Sequence, residues 1–419
     1  MAASRRTRTR TEVLLASSGV VVIALAVGTW GVAGGRYDQG TVAGNASGLV
    51  LDAAPVPNPN ALSWPSFGNT PGSTRANTSL NVSLPFHQRW NVSARSLVEL
   101  PPVIGGGRVV VGSSHGLATA IDLQTGKVDW RHKLGGSVAA SPALTGLPGT
   151  SSARQPQLDL FATMNGHLIA LNPRTGARAW QVSLGSSVET SPLVIGNGIF
   201  VGTRAGKVAR VSLTTHRVVW TRFVGGSVKG AMALAGSHII VGDYSGHVSA
   251  FTQSGRIVWR TTSPRSGRFY AGAAVAYGRV YIGNVNGRVL GINAANGVIN
   301  WTRALPNYVY SSAAVADGMV FVGCYNHNLY ALNAKTGGIV WHRNLGQRIS
   351  GSPSVLGNLV WISTLGVPVK AGHGYAFNVK TGRLMVYRPL GRFVAAIGVP
   401  GTIVATGVTT IAGLTPRTK

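Results

Sequence analysis

Between Pro85 and Pro416 short apolar runs alternate with turn-forming residues in an order that keeps returning. In "SPLVIGNGIFVGTRAGKVARV", Ser191 to Val211, three runs of strand length are divided by GNG and RAG, and a fourth run closes on Trp220. Short runs rich in Val, Ile and Phe, bounded by Gly and Asn, predict β-strands rather than helices. The fourth run is the most regular. "ALNAKTGGIVW" at Trp341 aligns with "AIDLQTGKVDW" at Trp130, "ALNPRTGARAW" at Trp180, "RVSLTTHRVVW" at Trp220, "AFTQSGRIVW" at Trp259 and "GINAANGVINW" at Trp301. The intervals are 50, 40, 39, 42 and 40 residues. A degenerate copy, "AFNVKTGRLMVY", carries Tyr387 in the tryptophan's place, one residue late.

Four strand signals in about forty residues make one propeller blade. After Tyr387, "FVAAIGVPGTIVATGVTTIAGLTP" holds three strands but not four, while "PFHQRWNV" around Trp90 is a lone outer strand with no partners ahead of it. The expectation is an all-β fold, an eight-bladed β-propeller of four-stranded blades closed by the N-terminal strand. The repeated tryptophans are read as structural. An aromatic at one point of every outer strand packs between blades, burying roughly 150 to 250 Å² each time, and a residue present in every unit cannot mark one active site. The Gly of the "TG" pair supplies the positive φ its turn needs.

A different signal lies upstream. Val13 to Gly35 carries no charge and suffices to cross a bilayer as a helix. Arg5, Arg6, Arg8 and Arg10 precede it, which holds that end in the cytoplasm. Residues 1–12 are therefore read as a basic cytoplasmic tail, 13–35 as a transmembrane signal-anchor helix, 36–62 as a flexible linker and 63–419 as the propeller, outside the cytoplasm. A cleavable export signal is the alternative, since "GVA" at Gly31 to Ala33 suits a peptidase.

Composition adds two constraints. Against 38 Lys and Arg stand 10 Asp and Glu, a net +28 of which the tail holds only +3. An excess this large implies contact with anionic matter, and the exported location favours anionic lipid headgroups or a phosphate-rich wall polymer over nucleic acid. Cys324 is the only cysteine, so no internal disulfide forms, and its apolar run marks it as a core thiol.

The repeat "ALNxxTGxxxW", with inner strands such as "SVETSPLV" and "ISGSPSVL", resembles the pyrroloquinoline-quinone-like (quinoprotein-type) propeller repeat from Trp64 to about Pro416. "WPSFGNTPGSTRANTSL", Trp64 to Leu80, is similar to the segment that opens such domains. The resemblance implies two kinds of member: enzymes that hold quinone and calcium in the central mouth, and cofactor-free scaffolds such as the propeller lipoprotein of outer-membrane β-barrel assembly. The enzyme pattern is poorly met. The adjacent cysteine pair is missing, and Asn172, Asn293, Asn333 and Asn378 stand where the family repeat often has Asp. The remaining acids of the repeats share no motif, whereas calcium and proton abstraction need clustered carboxylates. No cofactor and no metal are expected, and PQQ with calcium is disfavoured.

In the family, ligands sit where the inner strands begin and at the loops joining second and third strands. Aligning the copies puts Glu99, Ala139, Glu189, Lys229, Tyr270, Tyr310 and Ser350 at that start, with Ser187, Ser227, Arg268, Tyr308 and Arg348 two residues earlier and Arg392 near the matching place in blade eight. The candidate ligand site is thus Lys229, Arg268, Tyr270, Tyr308, Tyr310, Arg348 and Arg392, with Lys370 and His373 from the blade-seven insertion "LGVPVKAGHG". Arginine forks hold carboxylate or phosphate and tyrosines give flat hydrogen-bonding walls; filling the channel entrance is the alternative role. The blade-two insertion "TGLPGTSSARQPQ" falls on the opposite face. Basic residues that follow the tryptophans, Arg131, Lys133, Arg222, Arg260, Arg303, Arg343 and Arg388, form an expected anionic-surface belt on the outer rim. The functional expectation is a membrane-anchored scaffold that binds a protein partner or an anionic envelope component without catalysis. A quinone-dependent or other ligand-dependent enzyme is the alternative.

Overall fold

A computed structural model describes residues 62–366, 372–388 and 394–416. The apolar run from Val13 to Gly35 and most of the linker lie outside these residues, and no helix among the described ones is long and apolar enough to cross a membrane. Eight antiparallel four-stranded sheets form the blades, seven of them from four consecutive strands, with one added parallel strand on the seventh. Blade one is typical, with an inner strand Val103–Gly105, then Arg108–Gly112, Leu117–Asp122 and an outer strand Val128–Lys133. Blade eight takes its three inner strands from residues 397–416 and its outer strand from Phe86–Ser93, which pairs antiparallel with Thr410–Pro416. The expected closure by the N-terminal strand is observed.

The core lies in the seams between blades. One buried cluster joins Tyr281, Val289 and Trp301 of blade five to Val315, Val320, Tyr330 and Leu332 of blade six. The outer-strand tryptophan of one blade reaches the hairpin turn of the next. Trp90, Trp130, Trp220, Trp259, Trp301 and Trp341 donate their indole N–H to the carbonyls of Leu123, Pro173, Gln253, Ala294, Ala334 and Val379, at 2.8 to 3.1 Å. Each ring also lies against the glycine of that turn, so closely at Gly176 that a Cβ would come within 2.6 Å of Trp130. Trp180 is the exception. His216 replaces the glycine in its partner turn, keeps the left-handed φ of 54°, and stacks on the indole at 5.1 Å.

Two expectations about outer strands need correction. In the register that pairs Ala331 with Trp341, Ala376 pairs with Val386. Val386 therefore holds the wedge position in blade seven, and Tyr387, one residue on, faces the other side and is 43% exposed. Several belt arginines are likewise turned into seams. Arg222, Arg303 and Arg343 stand two residues after their tryptophans, hence on the same side of the strand, and donate Nε to the carbonyls of Gly255, Gly337 and Gly382. Arg388 donates to Phe86 O, across the junction where the N-terminal strand closes blade eight. Arg131 donates to Ser93 O and Arg260 to Ser249 Oγ; Lys133 is exposed.

The opening segment runs inside the ring. Trp64 bridges Ile104 antiparallel, Ala76–Asn77 pairs parallel with the inner strand of blade seven, and the carbonyls of Pro65, Pro71, Gly72 and Thr74 accept amides of Leu144, Leu234, Val275 and Val315. This hoop lies across the inner strands of six blades. Arg75 is fully buried, donates to the carbonyls of Pro353, Phe67 and Ser352, and lies 4.3 Å from the Phe67 ring. Burial lowers its pKa to about 9, so at neutral pH it remains a cation.

Candidate binding mouth

Antiparallel order puts the inner-to-second and third-to-outer turns on one face of the disc. The second-to-third turns and the blade-to-blade loops come to the other. On this second face the inner strands begin, and a repeated bond fixes the geometry. The amides of Arg204, Tyr244, Val285, Tyr325 and Leu365, in second-to-third turns, donate to the carbonyls of Ser187, Ser227, Arg268, Tyr308 and Arg348. Those acceptors are residues the sequence placed at one equivalent position, so the copies align with one another to the residue. The expected strand starts are corrected: the inner strands begin at Leu193, Ala233, Ala274, Ala314 and Ser354, and Glu189, Lys229, Tyr270, Tyr310 and Ser350 lie in the loops that lead into them.

Glu189 is the electrostatic centre. It is 6% exposed and flanked by Lys229 Nζ at 3.6 Å and Arg204 Nε at 3.4 Å. The Lys229 ammonium in turn sits 5.1 Å from the Tyr244 ring and 5.3 Å from the Tyr270 ring, a cation between two aromatic faces. From Tyr270 the aromatic contact continues edge-on to Tyr310 at 5.4 Å, and from Tyr310 to Tyr308 at 5.7 Å and Tyr325 at 5.6 Å. Arg268 lies over Tyr244 and Arg348 over Tyr325, at 5.3 and 5.1 Å. Both arginines are exposed, and neither belongs to any of the ion pairs found among the described residues.

The charge environment sets the protonation states. Burial, reinforced by Glu189 and Glu99, drives the Tyr270 hydroxyl far above the ordinary tyrosine range, and burial with the neighbouring tyrosines raises Tyr310. Both are neutral hydroxyls at physiological pH. Burial, then Arg348, lowers His327, which keeps that imidazole uncharged. The mouth is thus a hydroxyl-bearing aromatic wall with an ion-paired centre of net positive charge and a cationic rim, able to hold planar and anionic groups.

Of the residues assigned from sequence, Lys229, Arg268, Tyr270, Tyr308, Tyr310 and Arg348 meet in this cluster. Lys370 and Arg392 lie outside the described residues. His373 packs against Tyr375 and Tyr387, at 6.3 and 5.4 Å between ring centres, rather than joining the tyrosine wall. Sequence reasoning missed Arg204, Tyr244 and Tyr325. All three occupy the same place in a second-to-third turn, but that place holds Ser114, Met164, Val285 and Leu365 in other blades, so no periodic residue type announces it.

The donor set fits a quinone with calcium poorly. Among the described residues no three His, Cys, Asp or Glu side chains come together. The carboxylate best placed for a hard cation, Glu189, already has the Lys229 ammonium beside it, and a divalent ion there would have to displace that charge. Cys324 is buried in the core, its thiol pushed up by burial, as the sequence indicated.

The sequence model of the family described as outer membrane protein assembly factor BamB matches residues 87–148, 164–313 and 309–385. BamB from Moraxella catarrhalis is 17% identical with a TM-score of 0.66, over 80% of this chain and 99% of that one. Quinohemoprotein alcohol dehydrogenase from Comamonas testosteroni is 13% identical with a TM-score of 0.70, over 85% of this chain and 81% of that one. A europium-containing methanol dehydrogenase is 14% identical with a TM-score of 0.70, over 84% and 91%. At these identities the likeness is one of fold, and it spans dehydrogenases and an assembly factor alike. No curated protein sequence matches significantly. Since the matched segments cover well over half of the sequence, the chain belongs to the PQQ-like repeat propeller family of the outer membrane protein assembly factor BamB.

Proposed function

We propose that this protein is a membrane-anchored, extracytoplasmic, non-catalytic binding propeller, and that an acidic segment of a partner protein docks across the mouth. The observation that carries this reading is the pair Arg268 and Arg348, exposed cations laid on tyrosine rings and ion-paired to no carboxylate among the described residues. Charges left open on a rigid aromatic platform favour an anionic partner and its rapid encounter. At the centre Lys229 and Arg204 flank the single carboxylate of Glu189 and leave one positive charge in excess, while the uncharged tyrosine hydroxyls of the inner wall suit flat or hydroxyl-bearing groups. The likeness to BamB supports a protein-binding role.

The test uses the full chain and a fluorescent polyglutamate probe, with polylysine as control. Polyglutamate is expected to bind in a salt-sensitive way, and Arg268→Glu and Arg348→Glu each to weaken it about tenfold. Equal affinity of the double variant and the parent would remove the mouth from the reading. Dye-linked turnover after addition of PQQ and calcium would overturn the non-catalytic assignment.

A further inference from the structure

The face opposite the mouth carries a second, more regular array of charge. The third-to-outer hairpin turns of blades one, two, three, four, six and seven present Lys127, Arg174, Arg217, Arg256, Lys335 and Lys380, all exposed. Unlike the seam arginines, none of these side chains donates a hydrogen bond to another blade in the described structure. The acids on this face among the described residues are Asp122, which caps its own turn by accepting from Thr125, the buried Asp159, which is paired with Arg108, and the exposed Asp129 and Asp317. Just beyond the cations, where the outer strands begin, bare apolar side chains recur. Val219 is 51% exposed, Ile257 43% and Val298 57%. Basic turns beside exposed aliphatic residues make a surface suited to a lipid interface, with cations at the headgroups and the aliphatic groups at the acyl boundary.

The chain's own path selects the occupant. Strand Val103–Gly105 runs from the mouth toward the turn face, and Trp64 pairs with Ile104 antiparallel. The described chain therefore enters the ring from the turn face, with Leu62 on that side of Trp64. Upstream, residues 36–62 separate it from the uncharged run that ends at Gly35. A linker of that length, as read from the sequence, would span roughly 30 Å, so a bilayer holding residues 13–35 would lie within reach of this face at high effective concentration. We propose that the turn face lies flat on the anionic phospholipid surface of the membrane that holds the N-terminal segment, which points the mouth away from that membrane. This rests on the anchored reading above.

Cys324 is fully buried, so an introduced cysteine takes a thiol-reactive fluorophore alone. Full-length Ala295→Cys, on a turn-face hairpin, and Ala205→Cys, on the mouth face, are reconstituted in phosphatidylcholine vesicles with or without phosphatidylglycerol, each with a headgroup-attached quencher. Quenching is expected at 295 and not at 205, only with phosphatidylglycerol, and is relieved by salt. Arg174→Gln, Arg217→Gln and Arg256→Gln should each lower the apparent lipid affinity about fivefold, while Lys207→Gln, on the mouth face, leaves it unchanged. Equal quenching at both positions, quenching at 205 alone, or indifference to phosphatidylglycerol would overturn the face assignment, as would protection of 295 only when a membrane protein is added. A chain that fails to float with either vesicle overturns the anchor instead.

Discussion

Gly337→Ala is expected to lower the stability of the propeller by about 3 kcal/mol, the sum of a left-handed backbone penalty and an overpacked seam. Gly337 has a φ of 70°, and an added Cβ would stand 2.5 Å from Trp301 Cε3. The indole has no room to retreat, because its N–H is bonded to Ala334 O at 3.1 Å and Arg303 holds Gly337 O at 2.7 Å. The whole wedge between blades five and six must shift or the turn must open. The neighbouring Gly338→Ala provides the contrast: its Cβ would meet nothing closer than Thr336 Oγ1 at 3.3 Å, and its stability should stay within about 0.5 kcal/mol of the parent. Denaturant midpoints of the two variants, measured side by side, check the argument. Equal shifts would mean that seam contact does not set the requirement for glycine.

The same seam explains what a reader of the sequence finds easily and what stays hidden. Turn, glycine and tryptophan fall within eleven consecutive residues, so the unit, its count and its closure by the strand at Trp90 are visible as a period. The Asn that replaces Asp in the turns keeps the local bonding. Asn333 Oδ1 accepts the amides of Lys335 and Thr336 at 2.9 and 3.0 Å, as Asp122 Oδ1 accepts those of Gln124 and Thr125. That substitution is invisible to the fold and removes a carboxylate. The destination of the arginines was harder to see. Arg303 and Arg260 both follow a tryptophan closely, but alternation along the strand sends the one two residues on into the seam and the one directly after it to the other side. Composition alone makes them one belt. The mouth was half legible for a related reason: Tyr270 and Tyr310 share a periodic position, whereas Tyr244 and Tyr325 come to the same wall from turns whose other copies are unlike them.

Arg75→Met is expected to cost about 4 kcal/mol, more than loss of a typical surface cation by an order of magnitude. The guanidinium lies at 0% exposure with no carboxylate among its contacts, held by the carbonyls of Pro353, Phe67 and Ser352 at 2.6, 2.9 and 3.2 Å and by the Phe67 ring. Methionine matches much of the volume and removes a buried charge, which is favourable. It also leaves three buried carbonyl oxygens without a donor, at about 1 to 3 kcal/mol each. The second effect wins because the acceptors belong to two distant parts of the chain. Ser352 and Pro353 lead into the inner strand of blade seven, while Phe67 lies early in the hoop. Arg75 thus fastens the opening segment to the ring, and the strand that completes blade eight, Phe86–Ser93, is the next long strand along the chain. Loosening the hoop should therefore loosen the closure. Hydrogen exchange of Arg75→Met would show faster exchange at the Trp64–Ile104 bridge and in the pairing of Phe86–Ser93 with Thr410–Pro416, with blades three and four protected as in the parent. Exchange that rises uniformly around the ring would mean that Arg75 contributes to the core at large and fastens nothing in particular.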